Sequence, residues 1–125
     1  MSLIVQKYGG SSVAGAEKMK NVARRAVAAA EKGNRVVVVV SAMGDSTDDL
    51  IDLAHQITDH PDEREMDVLL STGEIVSSTL LAMAIKSLGR KAISLSGLQA
   101  GIQTDGIYSQ ARIRAISPQR VKSEL

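Results

Sequence analysis

Leu3-Ile4-Val5-Gln6-Lys7-Tyr8-Gly9-Gly10-Ser11-Ser12 runs from a short apolar segment through a lysine and a glycine pair to two hydroxyls. A long helical pattern follows, beginning near Gly15. Strand, lysine, glycines, hydroxyls and helix, in that order, have the layout of an anion site. The glycines let backbone N–H groups approach a phosphate with no Cβ in the way. The following helix points the positive end of its dipole the same way, and Lys7 adds a mobile full charge. A glycine pair after a strand also suits an ordinary turn, so the rest of the chain has to arbitrate.

Downstream, Met19, Val22, Ala23, Ala26, Val27 and Ala30 fall at helical spacing. They predict a helix from Glu17 to Lys32 with one buried stripe, ended by Gly33. Val36 to Val40 is an unbroken valine run, the composition of a strand covered on both faces in a parallel sheet. Strand, helix, strand makes a βαβ unit with an expected right-handed crossover. Ser46 and Asp49 have capping-box spacing, which starts a second helix at Ser46 or Thr47 with Leu50, Leu53, Ala54 and Ile57 as its stripe. Pro61 suits the first turn of a third helix, carrying Met66, Leu69 and Leu70. Gly73 predicts a break or kink before a helical pattern resumes at Val76 and runs to Leu88. Ala92 to Ser96 reads as a third strand. Ile102 to Thr104 and Ala111 to Ile116 read as an antiparallel pair, and Ser117-Pro118 as an N-cap and first turn.

The 125 residues fit one domain with a respectable core. With no Phe or Trp, and only Tyr8 and Tyr108 aromatic, that core is aliphatic. Platforms for stacking bases are nearly absent, which argues against a nucleic-acid partner. No cysteine is present, so disulfides, thiolate zinc sites and cysteine nucleophiles are excluded, and a reducing, cytoplasmic setting is the expectation. The net charge of +1 conceals segregation: residues 1–44 are mostly basic and residues 45–67 mostly acidic. Solvated helix faces explain most of these charges, while a basic first third also suits a phosphorylated ligand. The opening residues lack the basic n-region and long apolar h-region of a signal peptide. No apolar run approaches the length needed to span a bilayer, and no membrane association is expected.

Two common phosphate loops are excluded. Ala16-Glu17 stands where a Walker loop after Gly10 and Gly15 needs Lys and then Ser or Thr, and no G-x-G-x-x-G occurs. Lys7 and Ser41 fall at the carboxyl ends of what should be neighbouring strands, where open α/β sheets bind ligands. Thr47 suits a helix cap or a ligand contact. Glu74, between Leu69-Leu70 and Ile75-Val76, is a carboxylate in an apolar stretch that needs a partner; it suits a helix start or a ligand's ammonium group. His55 and His60 lack metal-ligand spacing, and no metal site is expected.

Taken together, four blocks resemble the aspartokinases of the amino-acid kinase family: Val5-Gln6-Lys7-Tyr8-Gly9-Gly10-Ser11-Ser12-Val13, Val37 to Gly44 with Thr47-Asp48, Leu70-Ser71-Thr72-Gly73-Glu74, and Gln99-Ala100-Gly101-Ile102 with Thr104-Asp105. The resemblance covers essentially the whole chain, with Tyr8 and Ser11 standing where Phe and Thr are common. It implies an α/β three-layer sandwich with a mostly parallel sheet. It also implies transfer of the γ-phosphoryl group of ATP, with Mg2+, to the side-chain carboxylate of L-aspartate, opening lysine, threonine and methionine biosynthesis. By resemblance Lys7 is the catalytic cation, and Gly9, Gly10, Ser11 and Ser41 line the ATP phosphates. Thr47 and Glu74 hold the aspartate, and the complete enzyme is a homo-oligomer. Family kinase domains are about twice this length, so residues 1–125 are expected to be an incomplete N-terminal lobe without the nucleotide-binding half or regulatory ACT domains. The isolated chain is then expected not to turn over, and to self-associate through an unpaired sheet edge and uncovered apolar surface. Another amino-acid kinase, such as an acetylglutamate, glutamate or uridylate kinase, and a non-catalytic module of the same fold are the alternatives.

Overall fold

A computed structural model describes residues 2–125. Strand β1 (Leu3–Tyr8) leads through a 3₁₀ turn (Gly10–Val13) into helix α1 (Ala16–Glu31), which returns the chain to strand β2 (Arg35–Val40). β1 and β2 pair in parallel, Leu3 opposite Arg35 and Tyr8 opposite Val40. The expected βαβ unit is present with nearly the expected bounds. Alternate strand residues face opposite sides of a sheet, and here the two sides differ sharply. Tyr8, Val38 and Val40 pack against Val13, Met19, Val22, Ala23 and Leu81, the buried cluster at the centre of the molecule. On the other side Leu3, Val5 and Val39 are about half exposed. The valine run is therefore covered on one face by the described residues, not on both as its composition predicts, and the sheet with one helical layer makes up two of the three expected layers.

Helix α2 (Ser46–Ile57) and helix α3 (Glu63–Ser87) follow. The capping box does not form: Asp45 is the N-cap, and the Ser46 hydroxyl donates back to the Met43 carbonyl. At the start of α3 the Asp62 carboxylate accepts from the Glu65 N–H at 3.0 Å, satisfying one of the orphan donors of the first turn. The expected break at Gly73 is absent, and α3 runs unbroken for 25 residues. A Cβ on Gly73 would lie 2.8 Å from the Cβ of Ala42. The glycine lets the helix close on the loop after β2, and that packing offsets a helix-propensity cost of about 1 kcal/mol. Ser77, fully buried one turn on, donates its hydroxyl to the Gly73 carbonyl at 3.3 Å. Unbroken, α3 is long and apolar enough by length and composition to cross a bilayer, contrary to the expectation that no apolar run reaches that length. It packs on α1, α2 and β2 through one face, burying Gly73, Ser77 and Leu81, and carries Glu74 near its middle.

No third core strand forms. Residues 90–96 join no ladder, and Ile93 is about half exposed. An alternating sequence becomes a strand only where a neighbour takes its backbone hydrogen bonds, and the described residues offer none. Strands β3 (Ile102–Thr104) and β4 (Ile113–Ile116) pair antiparallel with an irregularity at Gln103/Thr104, as expected apart from a later start to β4. The short helix α4 (Gln119–Glu124) has Pro118 rather than Ser117 at its N-cap.

Candidate functional site

The parallel register sets Lys7 opposite Val39 and Tyr8 opposite Val40, so β1 and β2 end level. Gly9 and Ser41 leave the sheet side by side, and the Ser41 N–H extends the ladder by donating to the Tyr8 carbonyl at 3.2 Å. Further along, the Gly44 N–H donates to the Gly10 carbonyl at 2.9 Å, joining the two loops edge to edge. Lys7 projects from the half-exposed side of the sheet, and Ser11 is exposed on the 3₁₀ turn. All five residues assigned to the phosphate end, Lys7, Gly9, Gly10, Ser11 and Ser41, thus belong to one pair of adjoining strand ends.

The two glycines differ in what surrounds them. A Cβ on Gly10 would stand 2.7 Å from the Ala42 carbonyl oxygen and 3.2 Å from that of Gly44, whereas nothing lies within 4 Å of a Cβ on Gly9. Gly10 is needed for loop-to-loop contact, and Gly9 leaves its backbone open to an approaching group. The 3₁₀ turn, not α1, begins at the glycines; α1 starts after Gly15, whose φ of 104° is in the left-handed region that favours glycine. Lys18, in the first turn of α1, donates from Nζ to the Ser11 carbonyl at 3.0 Å. It brings to this loop a second cation that sequence reasoning did not assign.

Thr47 and Glu74 meet in an open cleft of about 400 Å³. It is lined by one stripe of α3, Asp67, Leu70, Ser71 and Glu74, together with Thr47 from the first turn of α2 and Ser109 and Ala111 from the segment after β3. Because Asp45 is the N-cap of α2, Thr47 is not spent as a cap. Asp67, Leu70, Ser71 and Glu74 have the i, i+3, i+4, i+7 spacing of a single helix face. That spacing would have drawn in Asp67 had no break been expected at Gly73. Among the described residues neither Asp67 nor Glu74 is in an ion pair. The lining is acidic and hydroxylated, so the chemistry it offers is recognition of a small cationic group such as an ammonium. It supplies no cation for a carboxylate.

The two ends of the site are linked through Ala42, which is buried. Gly10 abuts its carbonyl oxygen and Gly73 its Cβ, so the loop after β1, the loop after β2 and the middle of α3 interlock at one residue. Glu74 is thereby fixed one position from the contact that also fixes the glycine loop. Among the described residues no group of three or more His, Asp or Glu side chains is arranged to hold a metal ion.

Comparison with known proteins gives the family of the chain. The model of the amino acid kinase family matches residues 2–125. The chain is 55% identical over 125 residues to an aspartokinase of Mycobacterium tuberculosis and 53% identical over 125 residues to aspartokinase 2 of Bacillus subtilis. All of the chain is covered in both matches, but only 30% and 31% of those relatives. A crystal structure of aspartate kinase from Synechocystis superposes with a TM-score of 0.74 at 54% identity, covering 80% of this chain and 17% of that one. With its level strand ends, interlocked loops and a family match along nearly its whole length, the chain belongs to the amino acid kinase family.

Proposed function

We propose that these residues are the N-terminal portion of an aspartate kinase. The reaction moves the γ-phosphoryl group of MgATP to the side-chain carboxylate of L-aspartate, releasing ADP and 4-phospho-L-aspartate. The observation that carries this reading is the meeting of Thr47 and Glu74, from separate sequence blocks, in one acidic cleft beside the interlocked strand-end loops. The identity to aspartokinases adds weight. A carboxylate oxygen attacks the γ-phosphorus as the bond to the ADP oxygen breaks. The attacking group, with an ordinary pKa of about 3.9, is already ionised at neutral pH, so no general base is required. The obstacle is repulsion: two unit negative charges 4 Å apart oppose each other by about 4 kcal/mol at an effective dielectric of 20. Lys7 offsets that charge, while Gly9 and Gly10 offer backbone N–H groups, Ser11 a hydroxyl, and Ser41 a further contact from the neighbouring strand. Glu74 takes the α-ammonium of aspartate, and Thr47 lies across the cleft. The cations that hold the aspartate carboxylates come from the part of the enzyme beyond these residues. Mg2+ enters with the nucleotide. The reaction belongs to lysine, threonine and methionine biosynthesis in the cytoplasm, in an enzyme that assembles as a homo-oligomer.

The test is a hybrid in which these 125 residues replace the matching part of the Mycobacterium tuberculosis relative. Acyl phosphate is trapped as hydroxamate with L-aspartate, glutamate or N-acetylglutamate as acceptor. Aspartate-dependent turnover is expected, with Lys7→Ala lowering kcat by about 10²–10³-fold and Glu74→Ala raising the KM for aspartate at least about tenfold. The isolated chain is expected to show none. Preference for another acceptor, or an unaffected Lys7→Ala variant, overturns the assignment.

A further inference from the structure

Part of the lining of the acidic cleft comes from a loop whose Ser109 lies 42 residues after Asp67 of α3. Two carboxylates hold that loop. At its base the Asp105 N–H donates to the Arg112 carbonyl at 3.0 Å, and Asp105 Oδ1 accepts from the N–H groups of Ile107 at 3.2 Å and Arg112 at 3.3 Å. At its tip the Ser109 N–H donates to Asp67 Oδ2 at 2.9 Å. Ser109 adopts φ 65°, the only non-glycine residue in the left-handed region among those described. A side chain is uncommon in that conformation and persists where the surroundings impose it. The Ser109 N–H is tied to the Asp67 carboxylate, which lies on the same helix face as Glu74, two turns before it.

We infer that Asp67 is a positioning residue for the amino-acid end of the cleft: it latches the 105–112 loop onto α3 so that Ser109 and Ala111 join Thr47 and Glu74 in its lining. This rests on the aspartate-kinase reading. The charge-assisted bond to Ser109 engages Asp67 Oδ2, while Glu74 is in no ion pair among the described residues. Without the latch, the loop remains closed at its base by Asp105 but loses its tie to the helix. The cleft then becomes an open helical face, on which a small zwitterion is held by fewer groups and is more exposed to water.

Two measurements test the latch. In the 125-residue chain, hydrogen exchange of the Ser109 amide is expected to be at least tenfold slower than the unstructured-peptide rate, and to reach that rate in Asp67→Ala. Free exchange of Ser109 in the unaltered chain overturns the latch without need of any variant. In the hybrid enzyme, Asp67→Ala is expected to raise the KM for aspartate at least fivefold while the KM for ATP and kcat stay within twofold. Asp67→Asn, which keeps an acceptor oxygen for the Ser109 N–H, is expected to stay within twofold for aspartate. An equal rise in both KM values, or a KM for aspartate unchanged in Asp67→Ala, overturns the latch alone. A hybrid without aspartate-dependent activity overturns the function and takes the latch with it.

Discussion

Residues 3–87 and residues 88–125 are held together by different forces. Every buried residue among those described lies in the first segment, from Val13 to Leu81. There an aliphatic cluster sits between one face of β1–β2 and the helices α1 and α3. The second segment buries nothing to that degree: β4 is exposed throughout, and Leu98, Ile107 and Ile113 are all more than half exposed. What orders it are polar ties. Ser96 and Gln99 exchange hydrogen bonds across a turn, Asp105 closes the 105–112 loop, and Asp67 holds that loop to α3. The glycine-loop end of the candidate site is thus built by burial and backbone contact, and the part of the cleft lined by Ser109 and Ala111 by a few carboxylates. The two ends should respond to different insults.

The widest separation is expected from removing matched leucines. Leu81 is 4% exposed within the central cluster, and Leu98 is 78% exposed. Leu81→Ala should destabilise the chain by about 2–5 kcal/mol, the sum of lost transfer energy and a residual cavity. Its thermal midpoint should fall by roughly 10 °C. Leu98→Ala should stay within about 0.5 kcal/mol. Similar losses for both in thermal unfolding would mean that the second segment is packed as tightly as the first.

A smaller effect is expected at the interlock. Gly10→Ala drives a Cβ to 2.7 Å from the backbone oxygen of Ala42. A backbone oxygen cannot rotate away as a side chain does, so the two loops must part. The cost should be about 1–3 kcal/mol, with the Gly44 N–H to Gly10 carbonyl bond weakened. Gly97→Ala, with nothing within 4 Å of the new Cβ and no positive φ, should be neutral or stabilising by about 0.4–1 kcal/mol through the unfolded chain. Denaturant midpoints of the two variants settle the comparison.

The same division marks what could be read from the sequence. The βαβ unit was legible because local rules suffice: a helical stripe from Met19 to Ala30, a glycine after it, and β-branched runs on either side. The level carboxyl ends of β1 and β2 followed from that unit, and with them the grouping of Lys7, Gly9, Gly10 and Ser41. The third helix was misread at Gly73 because the local cost of glycine was visible while its compensation, contact with Ala42 some thirty positions earlier, was not. That single misreading also hid Asp67, whose place two turns before Glu74 matters only on a continuous helix. Residues 92–96 illustrate the converse, since their alternation is real but a strand needs a ladder partner that no local pattern supplies. Ser109 had no signal at all. A serine at positive φ has no sequence signature, and its bond to Asp67 spans 42 residues.

The smallest global effect is expected from Asp105→Ala, which is also the sharpest probe of the polar segment. Two accepted N–H bonds at the loop base are lost, each contributing about 0.5–1.5 kcal/mol, and more where the acceptor is charged. The residue is far from the central cluster, however, so this energy is local: the loop can open without unfolding of β1, α1, β2 and α3. The thermal midpoint should therefore move by less than in Gly10→Ala, while the amides of Ile107 and Arg112 should exchange faster in hydrogen-exchange measurements and those of Val36 to Val40 should not. If the valine amides accelerate together with the loop, the 105–112 segment unfolds in one cooperative unit with the core, and the contrast between a packed end and a tethered end of the site fails.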